Sequence, residues 1–260
     1  MSHWALLCSP FLGPQVWQPV VVPLQRLGHR ATVVSASGDS PAAVLDGLRS
    51  GLPVADDLVL VPHSNAGLYV AALAAGADVC GGSRSERASP AGPTASNPAV
   101  SRGVSVPAPQ GPPSVSGVVF VDALLPGEGD RTRVAPASML EQLASLVQPD
   151  GLLPVWTRWW PDADLDGLFP SPAARAKVEA GQARMPLGYL QSDVLTPPGW
   201  EQLPCGYLGF GDTYADEQVI AGKRGWPVDA IPGRHLHQVV DPDAVAHRII
   251  ALHARAVTLR

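Results

Sequence analysis

Apolar segments of strand length alternate with helix-length segments along most of the chain, and this alternation predicts an α/β fold with a mostly parallel sheet and helices on both faces. Two further observations support that expectation. At 260 residues, 46% of them apolar, the chain can bury one large core. Its conspicuous serine, aspartate and histidine residues each stand at or just after the end of a strand-like run, where an open parallel sheet places its site.

Residues 4–8 are the expected first strand, closed by Ser9-Pro10-Phe11-Leu12-Gly13-Pro14, whose prolines and glycine cannot extend a ladder. Residues 16–27 read as a helix stopped by Gly28, and residues 31–35 as the second strand. Ser40-Pro41 supplies an N-cap and a first-turn proline for a helix to about Leu48, and residues 58–62 form the third strand. From 81 to 116 the composition changes to Ser, Pro, Ala, Gly, Val and Arg without aromatic residues or period. Such a low-complexity insertion cannot bury enough surface to offset its ordering entropy, and a surface excursion is expected.

Residues 117–123 resume the sheet as a fourth strand, 206–209 make a fifth and 226–231 a sixth. Helices are expected over 215–222 and over 243–258, the latter opened by Asp241-Pro242. Between the fourth and fifth strands, residues 130–200 have a different character. They look helical over 137–147 and 172–185, and Trp156, Trp159, Trp160, Phe169 and Trp200 lie among prolines. This predicts a helical cap over a core made of residues 1–129 and 201–260, with the aromatics either roofing a pocket or fastening the cap to the core.

The net charge of −5 and the scattered arginines, with Lys177 and Lys223 the only lysines, point away from nucleic acid and from anionic membranes. The amino terminus enters an apolar strand directly, without a recognisable export signal or membrane span. Cys8, Cys80 and Cys205 are odd in number and widely spaced, which argues against a disulfide framework or a structural zinc; a reducing cytoplasm is the expected setting.

The informative stretch is Leu58-Val59-Leu60-Val61-Pro62-His63-Ser64-Asn65-Ala66-Gly67, which reads as strand, abrupt turn and helix around a lone serine. A nucleophilic serine is displayed in this way at a strained corner, with small residues flanking it because strand and helix nearly touch there. The bland alternative is an ordinary helix N-cap. Such a serine needs a base and an acid to orient that base, and the chain offers them in the order Ser, Asp, His. Ser64 follows the third strand, Asp122 ends the fourth, Asp212 follows the fifth and His235 follows the sixth.

On these residues the chain resembles the α/β-hydrolase superfamily, in particular its small actinobacterial esterase, thioesterase and acyltransferase-like members. The resemblance rests on Ser9-Pro10-Phe11-Leu12-Gly13-Pro14 followed by Trp17, His63-Ser64-Asn65-Ala66-Gly67, Val119-Phe120-Val121-Asp122-Ala123 and Gly233-Arg234-His235-Leu236-His237, and it covers nearly everything except the insertion. It implies Ser64 as nucleophile, His235 as base and Asp212 as acid, with Asp122 as the alternative acid. It also implies an oxyanion hole using the N–H of Asn65. Pro10 occupies the usual second position and has no N–H, so Phe11 or Leu12 takes over, with Phe11 preferred. Leu12, Trp156, Trp159 and Trp160 are the expected pocket residues. His237 makes H-x-H with His235, a weak metal pattern and better read as a packed loop histidine.

The implied chemistry is acyl transfer through acyl-Ser64, with neither cofactor nor metal, on a hydrophobic, planar acyl ester or thioester, free or carrier-protein-bound in natural-product biosynthesis. Two alternatives differ in class. Pro10 and Pro62 suggest a weakened oxyanion hole and hence a lyase or cyclase using His235 as general base. A binding protein that has lost catalysis is the other, because fold alone does not guarantee chemistry.

Overall fold

The computed structural model describes residues 2–76 and 114–260. Of the expected insertion at 81–116, all but the last three residues lie outside the described residues, as does Cys80.

The elements run β1 (His3–Leu7), α1 (Gln18–Arg26), β2 (Arg30–Val34), α2 (Pro41–Gly51), β3 (Leu58–Ser64), α3 (Val70–Ala75) and β4 (Val115–Ala123). Then follow β5 (Arg131–Arg133), α4 (Ala137–Ala144), α5 (Pro172–Glu179), α6 (Leu187–Leu190) and β6 (Asp193–Leu195). The chain ends with β7 (Cys205–Phe210), α7 (Ala215–Lys223), β8 (Val228–Ile231), α8 (His237–Val240) and α9 (Pro242–Thr258). Val115 and Ser116, expected in the insertion, belong to β4, where Ser114 accepts the Leu58 N–H and the Ser116 hydroxyl donates to Asp57 at 2.5 Å. The expected caps are present, with the Ser40 and Asp241 side chains accepting the N–H of Ala43 and Ala244, and Ser171 caps α5 in the same way by accepting from Ala174.

The six main strands are ordered β2-β1-β3-β4-β7-β8, and every neighbouring pair is parallel. The chain steps one way from β1 to β2, then reverses across β1 to β3 and continues in that direction. Because parallel crossovers are right-handed, the reversal puts α1 on one face and α2 and α3 on the other. Packing agrees, since α1 and α9 lie together and α9 crosses β4 and β7, while α2 packs on α3. The reversal makes the carboxyl ends of β1 and β3 a topological switch point, and their loops carry Phe11 and Ser64.

β3 is buried along its whole length, as a central parallel strand should be. At the far end of the sheet Trp200 and Trp226 pack on Phe120 at 6.0 and 5.6 Å, and the Arg224 guanidinium lies over both indoles. Trp200 is therefore mortar between β4 and the segment before β7. The antiparallel pair β5–β6 has no signature in the sequence, because three-residue strands carry no measurable period; Thr132 and Thr196 hydroxyls join beside it at 2.7 Å. Among the described residues no helix is long and apolar enough to cross a membrane.

Candidate active site

Ser64 closes β3 with φ 57° and ψ −130°, a left-handed backbone that a non-glycine residue adopts only at a cost. The chain then turns through a 3₁₀ segment, Asn65–Tyr69, before α3 begins, so the helix expected directly after the serine starts one tight turn later. Gly67 makes the turn possible. A Cβ there would collide with the Leu124 carbonyl, and the Leu124 N–H in turn donates to Ser64 O at 3.1 Å.

β4 supplies the acid through an irregularity. His63 pairs with Val121 and Ser64 with Ala123, so between these two pairs β4 carries one extra residue, Asp122, at φ 41°. Such a bulge bends the strand and re-aims the extra side chain. The Tyr207 hydroxyl holds it, accepting the Ala123 N–H at 3.0 Å and donating to the Ala123 carbonyl at 2.8 Å. Asp122 is fully buried; its Oδ1 accepts the Phe210 N–H at 2.9 Å, and its Oδ2 lies 2.7 Å from His235 Nδ1.

The expectation that Asp212 orients His235 is therefore corrected: the carboxylate on the imidazole is that of Asp122. Gly211, at φ 62°, turns the chain at the end of β7, and Asp212 is exposed, lining an adjoining cavity of about 420 Å³ instead. A buried carboxylate on Nδ1 fixes the proton there and leaves Nε2 with a free lone pair.

His63, the residue before the serine, is completely buried and stacks on His235 with ring centroids 4.5 Å apart. Its Nε2–H donates to the His235 carbonyl at 2.8 Å. Burial, reinforced by the neighbouring imidazole, holds its pKa well below the usual histidine range. His237 begins α8 and rests against Phe210 at 5.6 Å.

The loop after β1 leaves the Phe11 N–H unspent. Leu12 N–H and Gly13 N–H both turn back to Ser9 O, at 3.1 and 3.4 Å, while Phe11 N–H has no acceptor among the described residues. Phe11 and Asn65 line the same cavity as Ser64 and His235, about 410 Å³ in volume and walled by Trp156, Trp159, Trp160, Leu124, Met139 and Leu190. Leu12, expected in this wall, is instead fully buried in the core. Cys8 is likewise buried, and burial pushes its thiol up, away from reactivity.

Two groups here carried no signal in the sequence. Asn65 Oδ1 accepts from the Tyr189 hydroxyl at 2.7 Å, so Tyr189 in turn accepts from the Tyr69 hydroxyl at 2.7 Å; a buried chain thus links α6 to the turn after Ser64. The Tyr214 hydroxyl lies 3.4 Å from Ser64 Oγ. Only its place in the loop after β7, at the carboxyl edge of the sheet, could have pointed to it.

No family model matches the chain, and no curated protein does. Solved structures do match it. An extracellular α/β-hydrolase from a Paenibacillus species, described as sharing structural and functional homology with tobacco salicylic acid binding protein 2, aligns over 97% of this chain and 99% of its own, with a TM-score of 0.67 and 15% identity. Polyneuridine aldehyde esterase aligns over 97% and 99%, with a TM-score of 0.65 and 13% identity. A variant of tomato methylketone synthase I complexed with β-ketoheptanoate aligns over 98% of both chains, at 0.60 and 14%. What is shared at such identities is the fold.

Proposed function

We propose that this chain, which has the α/β-hydrolase fold of those structures, is a serine-dependent acyl-transfer enzyme, an esterase or thioesterase when water completes the cycle. The observation that carries the proposal is the 2.7 Å contact between His235 Nδ1 and the buried Asp122, with His235 lining the same cavity as Ser64. Ser64 Oγ attacks the acyl carbon while His235 Nε2 takes its proton, and Asp122 stabilises the imidazolium that results. The carbonyl electrons move onto an oxyanion received by the N–H groups of Asn65 and Phe11. Collapse expels the alcohol or thiol, which takes the proton from His235, and leaves acyl-Ser64. Water, deprotonated by the same imidazole, then releases the acid; a thiol, amine or alcohol in its place makes the enzyme an acyltransferase.

The aromatic wall suits a hydrophobic, planar acyl group, presented as a small ester or as a carrier-bound thioester. The lyase or cyclase alternative rests on Pro10 and Pro62; the unspent N–H of Phe11 makes good the donor that Pro10 lacks and supports acyl transfer instead. The test is intact mass after incubation with a fluorophosphonate and with short aryl and alkyl thioesters and esters. One adduct is expected, at Ser64, and none in Ser64→Ala, whose turnover falls on the order of 10⁴-fold or more. Full turnover by Ser64→Ala sinks the mechanism. An acyl adduct that decays in water marks a hydrolase, and one that persists until a thiol or amine is added marks a transferase.

A further inference from the structure

Beside the Ser64, His235 and Asp122 constellation stands a fourth group with the reach to touch the reacting atoms. Tyr214 lies between β7 and α7 with its ring 5.4 Å from the His235 ring and its hydroxyl 3.4 Å from Ser64 Oγ, in the wall of the same cavity. The side of approach matters. During collapse of a tetrahedral intermediate the oxyanion points to the Asn65 and Phe11 N–H groups, and the leaving oxygen must face His235 to receive a proton. A hydroxyl beside both Ser64 Oγ and the His235 ring is on that leaving side, and the leaving oxygen shares one tetrahedral carbon with Oγ.

We propose that Tyr214 is a further catalytic residue, whose hydroxyl donates a hydrogen bond to the departing oxygen while His235 protonates it. The assignment rests on the acyl-Ser64 reading. The carbon–oxygen bond to the leaving group breaks with its electron pair on that oxygen, the proton comes from His235 Nε2, and Tyr214 keeps its own proton throughout. Burial, and then the negative charges of Asp122 and Glu217, push the Tyr214 phenol up, although its bond to Ser64 acts in the opposite sense; it therefore stays a donor across the working pH range. The hydrogen bond counts most where the leaving oxygen becomes strongly basic, and least for a stable phenolate.

The experiment compares the wild type with Tyr214→Phe on a series of acetate esters running from 4-nitrophenyl through phenyl to ethyl, together with fluorophosphonate labelling of Ser64. For the variant, kcat/KM on the ethyl ester should fall on the order of 10²-fold and on the 4-nitrophenyl ester far less, so that the plot of log kcat/KM against leaving-group pKa becomes steeper. Retained labelling of Ser64 shows that the variant is folded and its nucleophile intact. An equal fall on all esters, or none on any, overturns the assignment, because a residue that only props Ser64 would not sense the leaving group. A variant that has lost labelling is replaced by Tyr214→Met, which fills the site without a hydrogen-bond donor and must show the same steepening. If the wild type is neither labelled nor active on any ester, the acyl-serine reading fails, and this assignment fails with it.

Discussion

At the scale of single residues, two aspartates divide the work by burial. Asp122 has no exposed surface and spends both oxygens, on the Phe210 N–H and on His235, whereas Asp212 is exposed beside a neighbouring cavity. Replacing Asp122 by Asn removes the charge that holds the Nδ1 proton and lets the imidazole take the wrong tautomer, so kcat should drop on the order of 10⁴-fold with the protein still folded. Asp212→Asn should stay close to wild type in kcat. Steady-state kinetics on a 4-nitrophenyl ester checks both, and the opposite ranking would return the acid to Asp212.

At the scale of elements, the site is the product of two strand ends brought into contact. β3 ends in the strained turn at Ser64, β4 ends in the bulge at Asp122, and the Leu124 N–H to Ser64 carbonyl bond ties them together. Gly67 is where the elements approach most closely, since a Cβ would meet the Leu124 carbonyl and lie 3.2 Å from Ala123 Cβ. Gly67→Ala should therefore cost about 1–3 kcal/mol of stability and also slow acylation by shifting Ser64 against Asp122. Denaturant unfolding and fluorophosphonate labelling rates together check this; an unaltered midpoint would show that the turn has slack.

At the scale of the whole molecule, stability should fall on mild acidification. His63 lies inside the fold with its pKa well below 6.5, so between that lowered value and 6.5 the unfolded chain binds a proton that the native state does not. Unfolding free energy then rises with pH across this window: the contribution is complete above about 6.5 and is lost as pH falls, at no more than about 1.4 kcal/mol per pH unit for one group. His3 and His253, both lowered chiefly by burial, act in the same sense, and Glu217, raised chiefly by burial, opposes them. In His63→Gln, which keeps a donor for the His235 carbonyl, the difference in unfolding midpoint between pH 5.5 and pH 8 should shrink. An unchanged difference would assign the effect to the other groups.

The order of strands and helices was legible in the sequence because periodicity, caps and prolines act locally: Ser40-Pro41 and Asp241-Pro242 start their helices as written, and β3 reads as an apolar run ending at Ser64. The candidate serine and histidine were legible for the same reason, each standing just beyond a strand. What only the tertiary structure decided is non-local. A single extra residue in β4, visible only against its partner strand, turns Asp122 toward His235, while the left-handed Gly211 leaves Asp212 in solvent. Leu12 passed from wall to core, and the Tyr69–Tyr189–Asn65 chain and the Tyr214 hydroxyl came into view, by the same cause. Side chains far apart in sequence meet at one sheet edge, and no local pattern encodes which of them point inward.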